Sequence, residues 1–342
     1  MENQIMTIGF IGNGKSTNRY HAPFIRRLGD KIRIKMIYAR HPEKRDWDRI
    51  EGVIYTDDLQ KLLGDPEIQV IIVTTPMSSH YEYAKKVLQA GKNCVVEKPF
   101  TSTVKEAEEL FALAKEKGLM LQGYQNRRFD SDFLTAKKIA DSGVLGSLFE
   151  VEMHFDYYRP EVPEKVTEYS KDTSFLYSHA CHTLDQVISW MGEPDRVHFD
   201  VRQLLGSGRM NDYFDLDLYY GVTKISVKSS YFRVKERPGF VLYGSRGMFV
   251  KQTKDRQEEH LKLFYMPEHG DFGEDRPEDY GVLTWYDGDG VFHEEKVVTE
   301  KGGYEKYYEA LYETVINGAA SCVKPEETLL VMRYLEEGTK EM

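Results

Sequence analysis

Over its first 122 residues the chain alternates short apolar runs with helical patterns, and no other feature restricts its fold so tightly. The runs fall at 5–11, 32–38, 70–74, 94–96 and 119–122, and residues 70–73 are apolar throughout, as in a strand covered on both faces. Between them, 81–89 reads as a helix stopped by Gly91. Residues 104–115 read as a helix that begins near Thr103, with Glu106 three residues later, and stops at Gly118. This rhythm predicts an α/β domain, a doubly wound parallel sheet with helices on both faces, over 1–122. After Tyr124 longer, partly alternating runs at 148–157, 197–205, 214–220, 224–232 and 282–286 predict a second domain over 123–342. That domain is read as α+β with a large open, mainly antiparallel sheet, one helix near 178–191 and closing helices within about 304–338.

Composition narrows the partners. The length of 342 residues exceeds one ordinary core, and 41% hydrophobic with 13% aromatic residues suits a folded globular protein. A formal charge of -10 argues against nucleic acid or an anionic membrane and leaves a small molecule as the expected partner. Cys94, Cys181 and Cys322 form no C-x-x-C pair and are read as thiols. The amino terminus has no basic region leading into a long apolar run, and no segment approaches 18 apolar residues, so a cytoplasmic location is expected.

Residues 9–16 spell G-x-x-x-x-G-K-S, the phosphate loop of nucleotide triphosphatases. That reading would place Phe10 and Ile11 in a phosphate cradle, and the run 70–73 leads into Thr74, Thr75 and Pro76 rather than a magnesium-binding aspartate. Starting instead at Gly12 gives Gly12-Asn13-Gly14-Lys15-Ser16-Thr17, a G-x-G-x-x-G pattern with threonine last, placed after a full strand. Gly12 makes the tight turn, Gly14 lets backbone approach a pyrophosphate, and the following helix offers its N–H groups. The second predicted strand ends in Tyr38-Ala39-Arg40, without the carboxylate that binds a ribose 2′-hydroxyl. Arg40 either pairs with a 2′-phosphate, predicting NADP(H) over NAD(H), or stacks on adenine.

The fourth run ends in Glu97-Lys98-Pro99, two charges at a strand's carboxyl end, where open parallel sheets meet their ligands. Together with Gly12–Thr17, Thr75-Pro76 with His80, Ala90-Gly91-Lys92, Arg128-Phe129 and Cys181-His182-Thr183-Leu184-Asp185, this motif resembles the Gfo/Idh/MocA oxidoreductases, the glucose-fructose oxidoreductase and inositol dehydrogenase superfamily. The resemblance covers nearly the whole chain. It is similar in particular to a bacterial branch with an N-R-R-F-D segment, here 126–130, and an F-D-Y-Y-R-P strand, here 155–160.

The resemblance implies a Rossmann domain followed by a substrate-binding domain. It implies hydride transfer between a nicotinamide and a hydroxyl- or carbonyl-bearing carbon of a sugar, polyol or related molecule. In that reading His182 moves the proton, Lys98 stabilises alkoxide character, Glu97 orients Lys98 or the nicotinamide ribose, and Asp185 binds substrate or orients the imidazole. Thr75, Pro76 and His80 lie by the cofactor, although His80 serves equally as a helix cap. Arg128, Tyr157, Tyr158 and Arg159 meet substrate or anchor strand ends, and Tyr124 is a further expected substrate contact. One departure stands out: the family's D-x-G-x-H becomes Ser178-His179-Ala180-Cys181-His182, so His179, Tyr124 or another cleft residue replaces the carboxylate, or the proton relay is shorter, or catalytic activity is lost. A cofactor-binding regulator and an NAD-dependent glycosidase are the alternatives. His179, Cys181, His182 and Asp185 do not make a zinc site, because Cys181 faces away from His182 and Asp185 and no further ligand cluster is present; no metal is expected. Apolar strand faces within 197–232 are expected to pack between subunits of a homodimer or larger homo-oligomer.

Overall fold

The computed structural model describes residues 4–44 and 46–342. The first sheet has six parallel strands: β1 (Met6–Ile11), β2 (Ile32–Tyr38), β3 (Ile54–Thr56), β4 (Val70–Val73), β5 (Asn93–Val96) and β6 (Leu121–Gly123). Their order, β3-β2-β1-β4-β5-β6, is that of a Rossmann sheet. Every residue of β1 and β4 is buried, as strands covered on both faces must be. Helix Val104–Lys117 carries the Thr103/Glu106 capping box and ends at Gly118 with φ +64°. Phe10 and Ile11 are interior residues of β1 and the loop starts at Gly12, so the phosphate-loop spacing is a coincidence of letters.

The second sheet contains β7 (Leu148–His154), β8 (Arg196–Arg202), β9 (Tyr213–Tyr220), β10 (Thr223–Ser230), β11 (Phe240–Gly244), β12 (Gly247–Lys251), β13 (Gly281–Tyr286) and β14 (Phe292–Val297). The order is β14-β13-β12-β11-β7-β10-β9-β8, antiparallel except where β7 meets β10. In β9 the alternation is explicit: Phe214, Leu216 and Leu218 are buried while Asp215 and Asp217 face the other way. The apolar face is covered from within the chain, because helices Ser131–Asp141 and Cys181–Met191 pack on β10, β11 and β12. The apolar faces of β9 and β10 are therefore core, whereas β8 has no buried position, which corrects for those two strands the reason given for subunit pairing. The uncovered face carries opposite charges in register, including Lys224–Glu150 at 2.7 Å and Lys228–Asp215 at 3.5 Å.

Contacts divide the chain into two compact units. One comprises Met1–Asn126, Phe264–Gly270 and Tyr304–Met332; the other comprises Arg127–Leu263, Asp271–Gly303 and Arg333–Met342. The sequence reading cut once at residue 122 and kept 304–338 with the second domain. Helix Glu305–Asn317 instead joins the first unit because its apolar and aromatic face, Tyr307, Tyr308 and Leu311, is buried there, with Tyr304 and Phe24 rings 5.2 Å apart. Among the described residues no helix is long and apolar enough to cross a membrane.

Candidate active site

In the first unit Gly12 adopts φ +120°, and a Cβ there would lie 2.6 Å from the Thr74 hydroxyl oxygen, so only glycine fits. Its N–H donates to the Tyr38 carbonyl at 2.9 Å. A Cβ on Gly14 would meet nothing within 4 Å, which leaves open space above the backbone where a pyrophosphate approaches. Asn13 accepts a 3.0 Å hydrogen bond from the Asn18 amide, Lys15 lies exposed with its ammonium 5.7 Å from the Tyr20 ring, and both flank the turn. Thr17, in the motif's third position, is fully buried; its hydroxyl donates to the Gly12 carbonyl at 2.8 Å and lies 2.7 Å from the Thr74 hydroxyl. The loop is thus closed by side-chain bonds where a glycine would supply only room.

A cleft of about 490 Å³ opens on this loop, lined by Gly12, Asn13, Gly14, Arg40, Thr75 and Pro76, and also by Tyr38 and Tyr83, whose rings lie 6.2 Å apart. Among the described residues Arg40 is the only charged one in its lining. The cleft fits a dinucleotide: the open backbone of 12–14 leaves room for the phosphates, and the exposed Arg40 with Thr75 and Pro76 completes the lining. His80 does not line it. Its ring is buried, with Nε2 2.7 Å from the Thr75 carbonyl and Nδ1 2.9 Å from the Pro99 carbonyl, so it braces the turns after β4 and β5. Burial lowers its pKa, and near neutral pH it donates to one carbonyl at a time.

Glu97 and Lys98 follow β5. The Glu97 carboxylate is buried and its oxygens are occupied: Oε1 accepts from the Ser16 hydroxyl and from His21 Nε2 at 2.9 Å, and Oε2 accepts the Lys98 backbone N–H at 2.9 Å. Burial alone would raise its pKa, but the His21 hydrogen bond and the charges of His21 and Lys98, with the Ser16 hydroxyl, hold it at about 2. Glu97 therefore orients the Lys98 turn and is not placed to exchange protons. His21 Nδ1 lies 2.5 Å from the Tyr308 hydroxyl, and the imidazole stacks on Tyr124 at 4.0 Å. Tyr124 is a correction to the substrate-contact expectation: it is buried, and its hydroxyl donates to the Tyr20 carbonyl at 2.7 Å. Nothing local in the sequence pairs residues 21, 97 and 308. A histidine just before Ala22-Pro23 was the one visible hint.

In the second unit His182 lies in the first turn of helix Cys181–Met191, buried to 8% exposure. A wider π-type turn, Leu176–Ala180, precedes it, and there the Ser178 hydroxyl lies 2.8 Å from His179 Nδ1. Arg128 and Asp185, both expected to meet substrate, are joined by two hydrogen bonds of 2.7 Å, with Asp185 buried; each answers the other's charge. Tyr158 and Arg159 are exposed, and the Arg159 guanidinium lies 4.9 Å from the Tyr157 ring. Asp156, which the motif reading passed over, is buried and held by Arg237 through bonds of 2.8 and 2.9 Å. Among the described residues no three His, Cys, Asp or Glu side chains are grouped to hold a metal ion.

A Rossmann sheet with a glycine loop, a dinucleotide-sized cleft and a Glu-Lys-Pro turn, followed by a mixed-sheet unit, defines an NAD(P)-binding oxidoreductase. Comparison with known proteins sharpens that class. Residues 6–125 match the oxidoreductase family NAD-binding Rossmann fold and 137–342 its C-terminal alpha/beta domain, both of GFO_IDH_MocA. The chain is 44% identical to the uncharacterized oxidoreductase YhhX of Escherichia coli (strain K12), over 98% of this chain and 96% of that protein. It is 35% identical to the scyllo-inositol 2-dehydrogenase (NADP(+)) IolW of Bacillus subtilis (strain 168), over 98% and 94%. A crystal structure of an oxidoreductase from Bacillus cereus superposes with TM-score 0.91 at 41% identity, covering 98% of this chain and 96% of that one. The chain belongs to the Gfo/Idh/MocA oxidoreductase family.

Proposed function

We propose that the protein is an NADP(H)-preferring dehydrogenase or reductase acting on a hydroxyl- or carbonyl-bearing carbon of a polyol, sugar or related small molecule. The observation that carries the cofactor preference is the cleft's charge: Arg40 stands beyond β2 and among the described residues no carboxylate lines the wall, so a 2′-phosphate meets attraction there. The similarity to an NADP(+)-dependent scyllo-inositol dehydrogenase supports both the cofactor and the polyol class. When bound, the nicotinamide supplies or accepts the hydride. Lys98 stabilises the developing oxyanion, His182 carries the proton, and Glu97 keeps the Lys98 turn in place. Tyr158 and Arg159, exposed in the second unit, contact substrate. The protein works as a homodimer or larger homo-oligomer, a reading supported by the uncovered sheet face, whose charges pair in complementary rows. Its working location is the cytoplasm.

The test is a parallel fluorescence titration with NADPH and NADH, followed by scyllo-inositol oxidation with NADP⁺ and a panel of aldoses and polyols. Tighter NADPH binding, with turnover lost in Lys98→Ala and His182→Ala while NADPH still binds, is the expected result. Equal affinities would return Arg40 to adenine stacking. NADPH binding without turnover on any of the panel would favour the cofactor-binding regulator, which the serine at 178 permits.

A further inference from the structure

We infer that His21 is a positioning residue: braced by Tyr308, it fixes the Glu97 carboxylate so that one side chain ties the glycine loop, through Ser16, to the Lys98 turn. The inference rests on the cofactor and Lys98 roles proposed above and assigns a residue that they do not need. His21 closes a wide turn, Ser16–His21, whose last step is the Ala22 N–H reaching back five residues to the Thr17 carbonyl. Pro23 follows; it has no N–H to give to Arg19, and its ring would crowd that carbonyl in a regular helix. The wide turn leaves the imidazole with no solvent exposure and both nitrogens bonded, Nε2 to Glu97 and Nδ1 to the Tyr308 hydroxyl.

A space-filling role would not require this arrangement. An apolar side chain would fill the same room beside Phe10 and Tyr124 without the cost of burying an imidazole. Ser16 and His21 lie 81 and 76 residues before Glu97, yet both bond its Oε1 while the Lys98 N–H bonds Oε2, so the carboxylate links Ser16 to the Lys98 N–H. Other groups sensing Glu97 are Tyr124 and Tyr308, His80 and the Lys98 ammonium. The His21 ring donates directly to a carboxylate oxygen, while Lys98 acts through its charge and its backbone N–H. Without His21 the burial of Glu97 would favour its neutral acid, which has one acceptor fewer for Ser16 and the Lys98 N–H. Loop and turn would then uncouple towards acid pH and recover as the carboxyl ionises.

NADPH titration from pH 5.5 to 8.5, by nicotinamide fluorescence, tests this on the unaltered protein and on His21→Ala, His21→Gln, Tyr308→Phe and Glu97→Gln. Each variant is checked for a cooperative melt. Binding by the unaltered protein should vary little with pH. His21→Ala should bind roughly ten- to a hundred-fold more weakly at the acid end, the scale on which small displacements of binding groups act, with the deficit shrinking as pH rises. Glu97→Gln should be weak at every pH, and adding His21→Ala to it should change nothing further. Tyr308→Phe should shift the profile in the same direction by less. A deficit in His21→Ala that is absent, or equal at every pH, overturns the inference. Should that variant not fold, unmoved profiles in His21→Gln and Tyr308→Phe overturn it equally. Failure of the unaltered protein to bind NADPH removes the cofactor reading itself, a result distinguishable from normal binding with an unmoved His21 profile.

Discussion

Thr17 stands where a dinucleotide loop usually keeps its third glycine, and its hydroxyl holds the loop shut against Gly12 and Thr74. Thr17→Val keeps the shape and strands those partners, so it should cost about 1–3 kcal/mol in urea unfolding. Arg40→Ala should weaken NADPH roughly tenfold or more while moving NADH little, a loss that shrinks in high salt, since one charge-assisted contact is removed. Two buried carboxyls set opposite pH dependences. Glu97 is held at about 2 in the fold against 4.5 free, so its contribution is complete above pH 4.5 and is lost as pH falls towards 2. The difference corresponds to on the order of 3 kcal/mol. Asp132 is pushed up to about 6 by burial and then by the Asp255 charge, so its contribution is complete below pH 3.8 and is lost as pH rises through 6. Urea unfolding across pH should therefore show Asp132→Asn gaining on the parent protein between pH 4 and 7. The tight turn at Gly12 and the lack of a carboxylate just after β2 were legible in the sequence because both are local facts. The burial of Tyr124, the bracing by His80 and the Arg128–Asp185 pair were not, since each depends on a partner far along the chain.

Elements with a strong apolar period declared themselves, and those without did not. β2 is found where the residues placed it, and β9 within one residue, because their buried positions recur with the strand period. β3 has three residues and β14 shows no buried position, so neither offers a pattern to read. β11 and β12 are short and joined by a tight turn at Ser245-Arg246, which blurs two strands into one stretch. Helix Val104–Lys117 was announced by its capping box, and that device can be measured. Thr103→Ala removes the hydroxyl that accepts the Glu106 N–H and should lower stability by about 1 kcal/mol, read as a small fall in Tm.

At the scale of the molecule, no single cut separates the two compact units, because Phe264–Gly270 and Tyr304–Met332 return to the first. Phe264 holds a left-handed backbone at φ 58°, uncommon for an aromatic residue, and its ring lies 4.4 Å from the Arg19 guanidinium. A fragment ending at residue 126 would lack Tyr304, Tyr307 and Tyr308 and would remove one partner each from Phe24, His21 and Gly123. It should show no cooperative thermal transition by circular dichroism, whereas the same fragment joined by a flexible linker to residues 304–332 should recover one.

The order of synthesis gives that discontinuity a further meaning. Domains generally form amino-terminal first as the chain leaves the ribosome. Here the histidine at position 21 waits for the tyrosine at position 308 of 342. Until residue 308 has been made the glycine loop exists without the brace that completes it, so the first unit is completed only after every strand of the second sheet has been synthesised.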